Sequence, residues 1–243
     1  MTPAVAELWR YPVKSLGGER LDRAAVGAHG LEGDRQWALF DVATGFGLTA
    51  RRVPELLMAT ARCADGGVQV VLPDGTVTAD DAALSAWLGR AVALRPASAT
   101  DGRPRYESPD DDEAAADGPV PGWHPWRGAA GAFHDDPDFR VSLVSTGTLG
   151  GWDARRFRAN VVLDGAGEDA LVGRRVRLGD AELRLTARIP RCVMVTRPQA
   201  GGLPRDTAVL KTIHRERDGE LAVGALVERA GTLVAGGPLA VLD

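Results

Sequence analysis

The apolar residues of this chain come in short runs. Val5 to Trp9, Val68 to Leu72, Phe139 to Val144, Val172 to Leu178 and Leu221 to Val227 each end within a few residues of glycine, aspartate or proline. Runs of this length, punctuated by 30 glycines and 15 prolines, predict strands rather than long helices. Repeated along one chain they predict small barrels. Further short strands are expected at Arg20 to Val26, Gln36 to Asp41, Leu48 to Arg51, Leu56 to Ala61, Thr76-Val77, Ala181 to Leu185 and Leu239 to Leu242. The 243 residues suffice for one large or two small domains, and a 44% hydrophobic content suffices for a core.

Helices are few. Thr78 reads as an N-cap, Asp80 and Asp81 favour the first turn, Leu84, Trp87 and Leu88 give an apolar face, and Gly89 stops the helix. A weak glycine-rich helix is expected from Gly147 to Trp152, opened by Ser145-Thr146. Asp206 caps another that runs to about Arg217, with Val209, Leu210 and Ile213 as its buried stripe. Between residues 98 and 121 the character changes. Asp110-Asp111-Asp112-Glu113, several prolines and few apolar residues predict a mobile acidic linker or lid.

Charge and cysteine usage exclude several classes. A net charge of -4 and a pI near 5.6 argue against nucleic acid and against a membrane surface as partner. No run approaches the roughly 18 apolar residues of a membrane helix, and Met1 to Arg10 predict no signal peptide. Cys63 and Cys192 make no disulfide framework, so a reduced, cytoplasmic protein is expected. The four histidines do not cluster, and no zinc spacing, nucleotide-binding glycine pattern or internal repeat is present.

Rare residues direct attention to particular places. All basic residues but Lys14 and Lys211 are arginine, and Asn160 is the one asparagine. A lysine among arginines flags a place that needs a compact ammonium. Lys14 lies in Tyr11-Pro12-Val13-Lys14-Ser15-Leu16-Gly17-Gly18, which offers an ammonium, a hydroxyl and flexible amides suited to an anion. The same loop also reads as an ordinary glycine-closed hairpin. Arg158 and Asn160 alternate on the approach to a strand and so share one face. Ile189-Pro190-Arg191-Cys192 sets a thiol after a strand, with a stiffening proline and a cation that favours the thiolate. An unpaired cysteine is also commonly a small buried hydrophobe, and the residues alone leave both readings open.

Taken together these motifs resemble the MOSC family, named for the C-terminal domain of the molybdenum-cofactor sulfurases. The first half resembles the MOSC N-terminal β-barrel through Tyr11-Pro12-Val13-Lys14-Ser15, Gly33-Asp34-Arg35 and Leu48-Thr49-Ala50-Arg51. The second half resembles the MOSC domain through Val144-Ser145-Thr146, Phe157-Arg158-Ala159-Asn160-Val161-Val162, Glu168-Asp169, Arg191-Cys192 and Thr196. The two-part form is similar to the amidoxime-reducing molybdenum enzymes. Three places depart from those enzymes: Arg197 to Gly202 lacks their acidic turn, Glu168-Asp169 lacks flanking aromatics, and Leu221 to Ala225 replaces their C-terminal strand motif.

The resemblance implies a mainly β fold with some α, an N-terminal β-barrel-like domain (residues 1-97) packed on a MOSC β-barrel domain (122-243), with the linker at 98-121 between them. It implies a molybdenum cofactor, a pterin dithiolene with a terminal phosphate. Cys192 would be the thiolate on molybdenum or would carry a persulfide. Lys14, Ser15 and Arg35 would hold the phosphate; Ser145, Thr146, Arg158 and Asn160 would line the pterin; Arg191 and Thr196 would complete the site. The expected function is reduction of N-oxygenated small molecules. Electrons would come from an external protein, because no flavin, haem or iron-sulfur motif is present. The alternatives are a persulfide transfer protein served by a sulfur donor, and a non-catalytic cofactor carrier. Pyridoxal phosphate is not expected, since in the sulfurases it occupies a separate, larger domain.

Overall fold

Eight strands form one curled sheet that carries most of the molecule's second half. Their spatial order is Leu239–Val241, Arg175–Leu178, Ala181–Pro190, Glu220–Arg229, Val141–Ser145, Val161–Leu163, Val5–Arg10 and Glu19–Leu21. The computed structural model describes residues 3–100, 105–109 and 123–243. Successive strand residues face opposite sides, so each central strand feeds two cores. Val141, Leu143, Val161 and Leu163 join the core inside the curl, whereas Val144 and Val162 join the core on its outer face. Helix Ala208–Arg217 covers that outer face with Val209 and Ile213. The two longest strands, Ala181–Pro190 and Glu220–Arg229, pair antiparallel with three register irregularities. Such irregularities bend a ladder, and here they accompany the curl.

The chain's first strand is not part of a separate N-terminal sheet. Val5–Arg10 pairs antiparallel with Val161–Leu163, and Arg23–Gly27 pairs with Gly231–Val234. Hydrogen bonding therefore crosses the sequence boundary at residue 97. The rest of the first half has its own core, built from Val13, Leu16, Leu39, Leu56, Leu57, Val70, Leu84 and Leu94 among others. Trp37–Asp41 pairs with Val92–Pro96, and Thr60–Ala64, Gly67–Val71 and Val77–Thr78 form a three-stranded sheet. The architecture is mainly β, as the short apolar runs require.

Several local expectations give way to tertiary contacts. Arg20 to Val26 is two strands, Glu19–Leu21 and Arg23–Gly27, because each half pairs with a different partner. Leu56 to Ala61 is not one strand. Pro54 opens a 3-10 turn, Pro54–Met58, that buries Leu56 and Leu57, and the strand begins at Thr60. Leu48 to Arg51 is a turn held by Leu48 N donating to Leu39 O at 2.7 Å. The first helix is capped by Asp80 rather than Thr78; Asp80 accepts from Ala83 N at 2.9 Å, and Gly89 ends the helix in a left-handed conformation. The short helix after Ser145 is one turn, Thr146–Leu149. Strands Val92–Pro96 and Gly231–Val234 went unread, the latter for its weak apolar content.

Within the expected linker, Arg105–Pro109 pairs antiparallel with Trp123–Arg127. The acidic run Asp110 to Glu113 lies outside the described residues. No helix among the described residues is long and apolar enough to cross a membrane.

Candidate functional site

The long strand Ala181–Pro190 ends at a proline that cannot extend the ladder, and the chain turns there. Arg191 N donates to Gly219 O at 2.8 Å, and Cys192 opens the 3-10 turn Val193–Thr196. This half-buried cysteine lines a cleft of about 570 Å³, within the usual size of a small-molecule site.

Across the cleft stands the loop that follows the first strand. Tyr11 N donates to Asp34 Oδ1 at 2.7 Å, and Arg35 N to Tyr11 O at 2.7 Å, so the turn at residues 33–35 is locked to this loop. Ser15 adopts φ 69°, and its hydroxyl accepts from Ala50 N at 2.9 Å. Arg35 pairs with the fully buried Asp34 and donates to Arg158 O at 3.2 Å. Arg35 and Arg158 both lie over the ring of Tyr11, at 5.4 and 4.5 Å from its centroid. One aromatic ring thus meets two like charges.

The cations differ in how well they are satisfied. Arg156 is buried, with its guanidinium donating to the carbonyls of Val195, Arg197 and Pro204 at 3.1, 3.3 and 2.9 Å. Arg191 donates to Leu221 O at 2.7 Å and Phe157 O at 3.1 Å, but its Nη2 is buried without a partner. Arg158 Nη1 is likewise buried without a partner. Burial, with nearby Arg35 adding to it, pushes both guanidinium pKa values down to about 10. Lys14 is only 6% exposed; it pairs with Asp135, donates to Phe133 O at 3.2 Å and lies 4.5 Å from the Tyr106 ring centroid. Its burial lowers the ammonium pKa, and Asp135 works against that.

Two family models match this chain: the MOSC N-terminal beta barrel domain over residues 2–103 and the MOSC domain over 133–240. The chain belongs to the MOSC family. Among solved structures, this MOSC protein is similar to the YuaD protein from Bacillus subtilis. That likeness has 12% identity, 98% of this chain, 94% of that one and a TM-score of 0.46. It is also similar to YiiM from Geobacillus stearothermophilus, with 17% identity over 44% of this chain and 55% of that one and a TM-score of 0.35. No curated protein sequence matches it.

The MOSC cleft gathers Lys14, Ser15, Arg35, Arg158, Asn160, Arg191 and Cys192 from across the chain. Arg158 and Asn160 do not share a strand face; the strand begins at Val161, and Arg158 is a left-handed residue ending the 3-10 turn Ala154–Phe157. The side chain of Asn160 is committed to the fold. Its Oδ1 accepts from Ser142 N and Oγ at 3.1 Å each, and its Nδ2 donates to Trp9 O at 3.2 Å. Three expected residues are not brought to the cleft lining. Ser145 caps Thr146–Leu149 through Thr148 N, Thr146 donates to Gly165 O, and Thr196 donates to Val193 O. Ser145 and Thr196 serve their own local turns, and Thr146 ties its turn to Gly165. Lys211 is exposed on helix Ala208–Arg217, so its rarity marked nothing here.

The sequence reading missed other residues of the lining: Tyr106, Trp126, His134, Asp135, Phe139 and Ser142. Tyr106 carried a signal, since the chain has two tyrosines and both touch this site's cations. The donor set suits an anionic ligand with a soft centre. Arg158 and Arg191 hold unpartnered N–H groups out of water, which is costly unless an acceptor arrives, and a thiolate suits a soft metal. Among the described residues no three His, Cys, Asp or Glu side chains converge as a metal site. Any metal here would depend on the one thiolate and on a ligand that brings its own donors.

Proposed function

We propose that this MOSC protein binds a molybdenum cofactor in the cleft and reduces N-oxygenated small molecules with electrons from a partner protein. One observation carries the reading: a single thiol, Cys192, and the buried unpartnered donors of Arg158 and Arg191 line the same cleft. Cys192 would bind the metal as a thiolate. Arg158 and Arg191 would donate to acceptor atoms of the pterin and its phosphate. Lys14 and Arg35, with Ser15 shaping the loop, would supply the charge for a dianionic phosphate. A bound molybdenum centre would supply two-electron oxygen exchange. The aromatic rings of Tyr106, Trp126, Phe139 and Phe157 would exclude water around it.

A second reading is favoured by the isolation of Cys192. A thiol that belongs to no group of three or more His, Cys, Asp or Glu side chains among the described residues also suits a persulfide carrier. Production in a host that makes the cofactor, followed by metal, pterin and persulfide analysis, separates the two. Bound molybdenum and pterin with reductase turnover are expected. Persulfide without molybdenum favours transfer, and cofactor without turnover favours a carrier. Absence of both molybdenum and pterin overturns the leading reading.

A further inference from the structure

Lys14 and its counter-ion are unequally placed. The Lys14 side chain is 6% exposed, while that of Asp135 is 83% exposed. A buried ammonium needs an anion beside it at all times, whereas an exposed carboxylate loses little by letting go. The residues flanking Asp135 are tied to other parts of the fold. Phe133 N donates to Arg35 O at 2.7 Å, His134 Nε2 contacts His29 O at 3.0 Å, and Phe139 N donates to Asp136 O at 3.4 Å. Asp135 is therefore a carboxylate pre-placed at the cleft mouth, between solvent and Lys14, in a lining that also includes Arg35, Arg51 and Arg158.

From this geometry we infer that Asp135 is the resident anion of the cleft and filters ligands by charge, competing with them for Lys14. The inference rests on the reading of Lys14 as an anion anchor. An arriving monoanion only replaces one carboxylate by another single charge. A dianion brings a second charge to the remaining guanidinium groups and so outcompetes Asp135. The ligand class selected is a phosphate monoester or a group of equal charge, against monoanions. Asp135 is on this account a specificity-determining residue that touches the anchor rather than the reacting atoms.

Calorimetric titration of the cofactor-free chain with inorganic phosphate at pH 8, and separately with nitrate, tests this. Asp135→Asn keeps the shape and removes the competing charge, so phosphate should bind roughly tenfold tighter. Nitrate should gain more than phosphate, which narrows the preference for the dianion; equal gains would show that Asp135 does not filter by charge and overturn the inference. Unchanged or weaker phosphate binding in Asp135→Asn overturns the inference. Lys14→Met, which keeps the stem and loses the charge, separates the two layers. If it leaves phosphate affinity as in the natural chain, the anchor reading falls and this inference with it. If it weakens binding while Asp135→Asn does not tighten it, only the role of Asp135 falls. Should Lys14→Met fail to fold, Asp135→Asn decides alone: its side chain is exposed, and circular dichroism matching that of the natural chain shows that the fold tolerates the unpaired Lys14 before phosphate is added.

Discussion

The two ends of the cleft solve opposite problems. At one end Lys14 is surrounded: a carboxylate, a carbonyl and an aromatic ring all answer its charge. Ala38, Tyr106 and Phe133 form a small apolar cluster behind it. At the other end Arg158 and Arg191 keep buried nitrogens with no acceptor, beside a half-buried thiol. At the first end the cation is answered without a ligand, although the Tyr106 hydroxyl is not, and at the second the cations themselves lack acceptors. Affinity at the first depends on displacing an internal partner. Affinity at the second comes from filling donors already stripped of water, which is the stronger drive per contact.

The comparison breaks most sharply at Cys192. In protein loaded with cofactor, Cys192→Ser should abolish reductase activity while pterin stays bound, because a hydroxyl is a poor ligand for a soft metal and the pterin contacts remain. Pterin fluorescence after oxidative release and metal analysis on one sample read both quantities. Complete loss of pterin would move the binding energy to the thiol and away from the arginines.

Acid should damage the Lys14 end first. His134 lines it, is 3% exposed, and is held by burial, with Arg35 adding to the effect, to a pKa of about 4. It is neutral in the fold, so the unfolded chain binds its proton first. Stability should therefore fall as pH drops from about 6.5 to about 4 and level off below, by roughly 3 kcal/mol from this group. Denaturant unfolding across that window, compared with His134→Gln, should show a flatter slope in the variant. Equal slopes would place the titration elsewhere.

Lys14→Ala should lower pterin and molybdenum content together, by roughly 10- to 150-fold in affinity, since one charge-assisted contact is lost. Lys14→Arg should recover only part, because a planar fork does not reproduce a point charge within that loop. The smallest effect is expected between the two thiols. Both are half-buried, so burial does not distinguish them. Burial raises the pKa of Cys63, with Arg10 opposing it, and Cys63 Sγ faces Gly33 O. Cys192 opens on the cleft and should be alkylated severalfold faster in cofactor-free protein, as peptide mass would record. Faster labelling of Cys63 would place the reactive thiol outside the cleft.

Much of the candidate site was legible because it rests on residue chemistry at turns. Lys14 stood out as a lysine in an arginine-rich chain, Asn160 as a lone asparagine, and Cys192 by its proline and arginine neighbours. What each does was less legible. Asn160 joins Trp9 to Ser142 in the sheet, and Arg156, two residues before Arg158, serves three carbonyls. Nothing local tells a structural arginine from a ligand arginine, since the difference lies in which carbonyls lie within reach. Ser145, Thr146 and Thr196 illustrate the converse: hydroxyls expected at the cofactor bond to the backbone of Thr148, Gly165 and Val193 instead.

The sequence by itself determined that this chain is mainly β, because short apolar runs between glycines and prolines leave no stretch long enough for a helical core. It also determined which residue types could meet an anion and a soft metal, and their order placed the chain in the MOSC family. Only the tertiary structure decided that Val5–Arg10 completes the sheet of the second half, and that Asp135 stands between solvent and Lys14. Both depend on pairings between segments more than a hundred residues apart. The alternation of one strand specifies its faces but not its neighbour, and the closing of a sheet decides which side chains meet across a cleft.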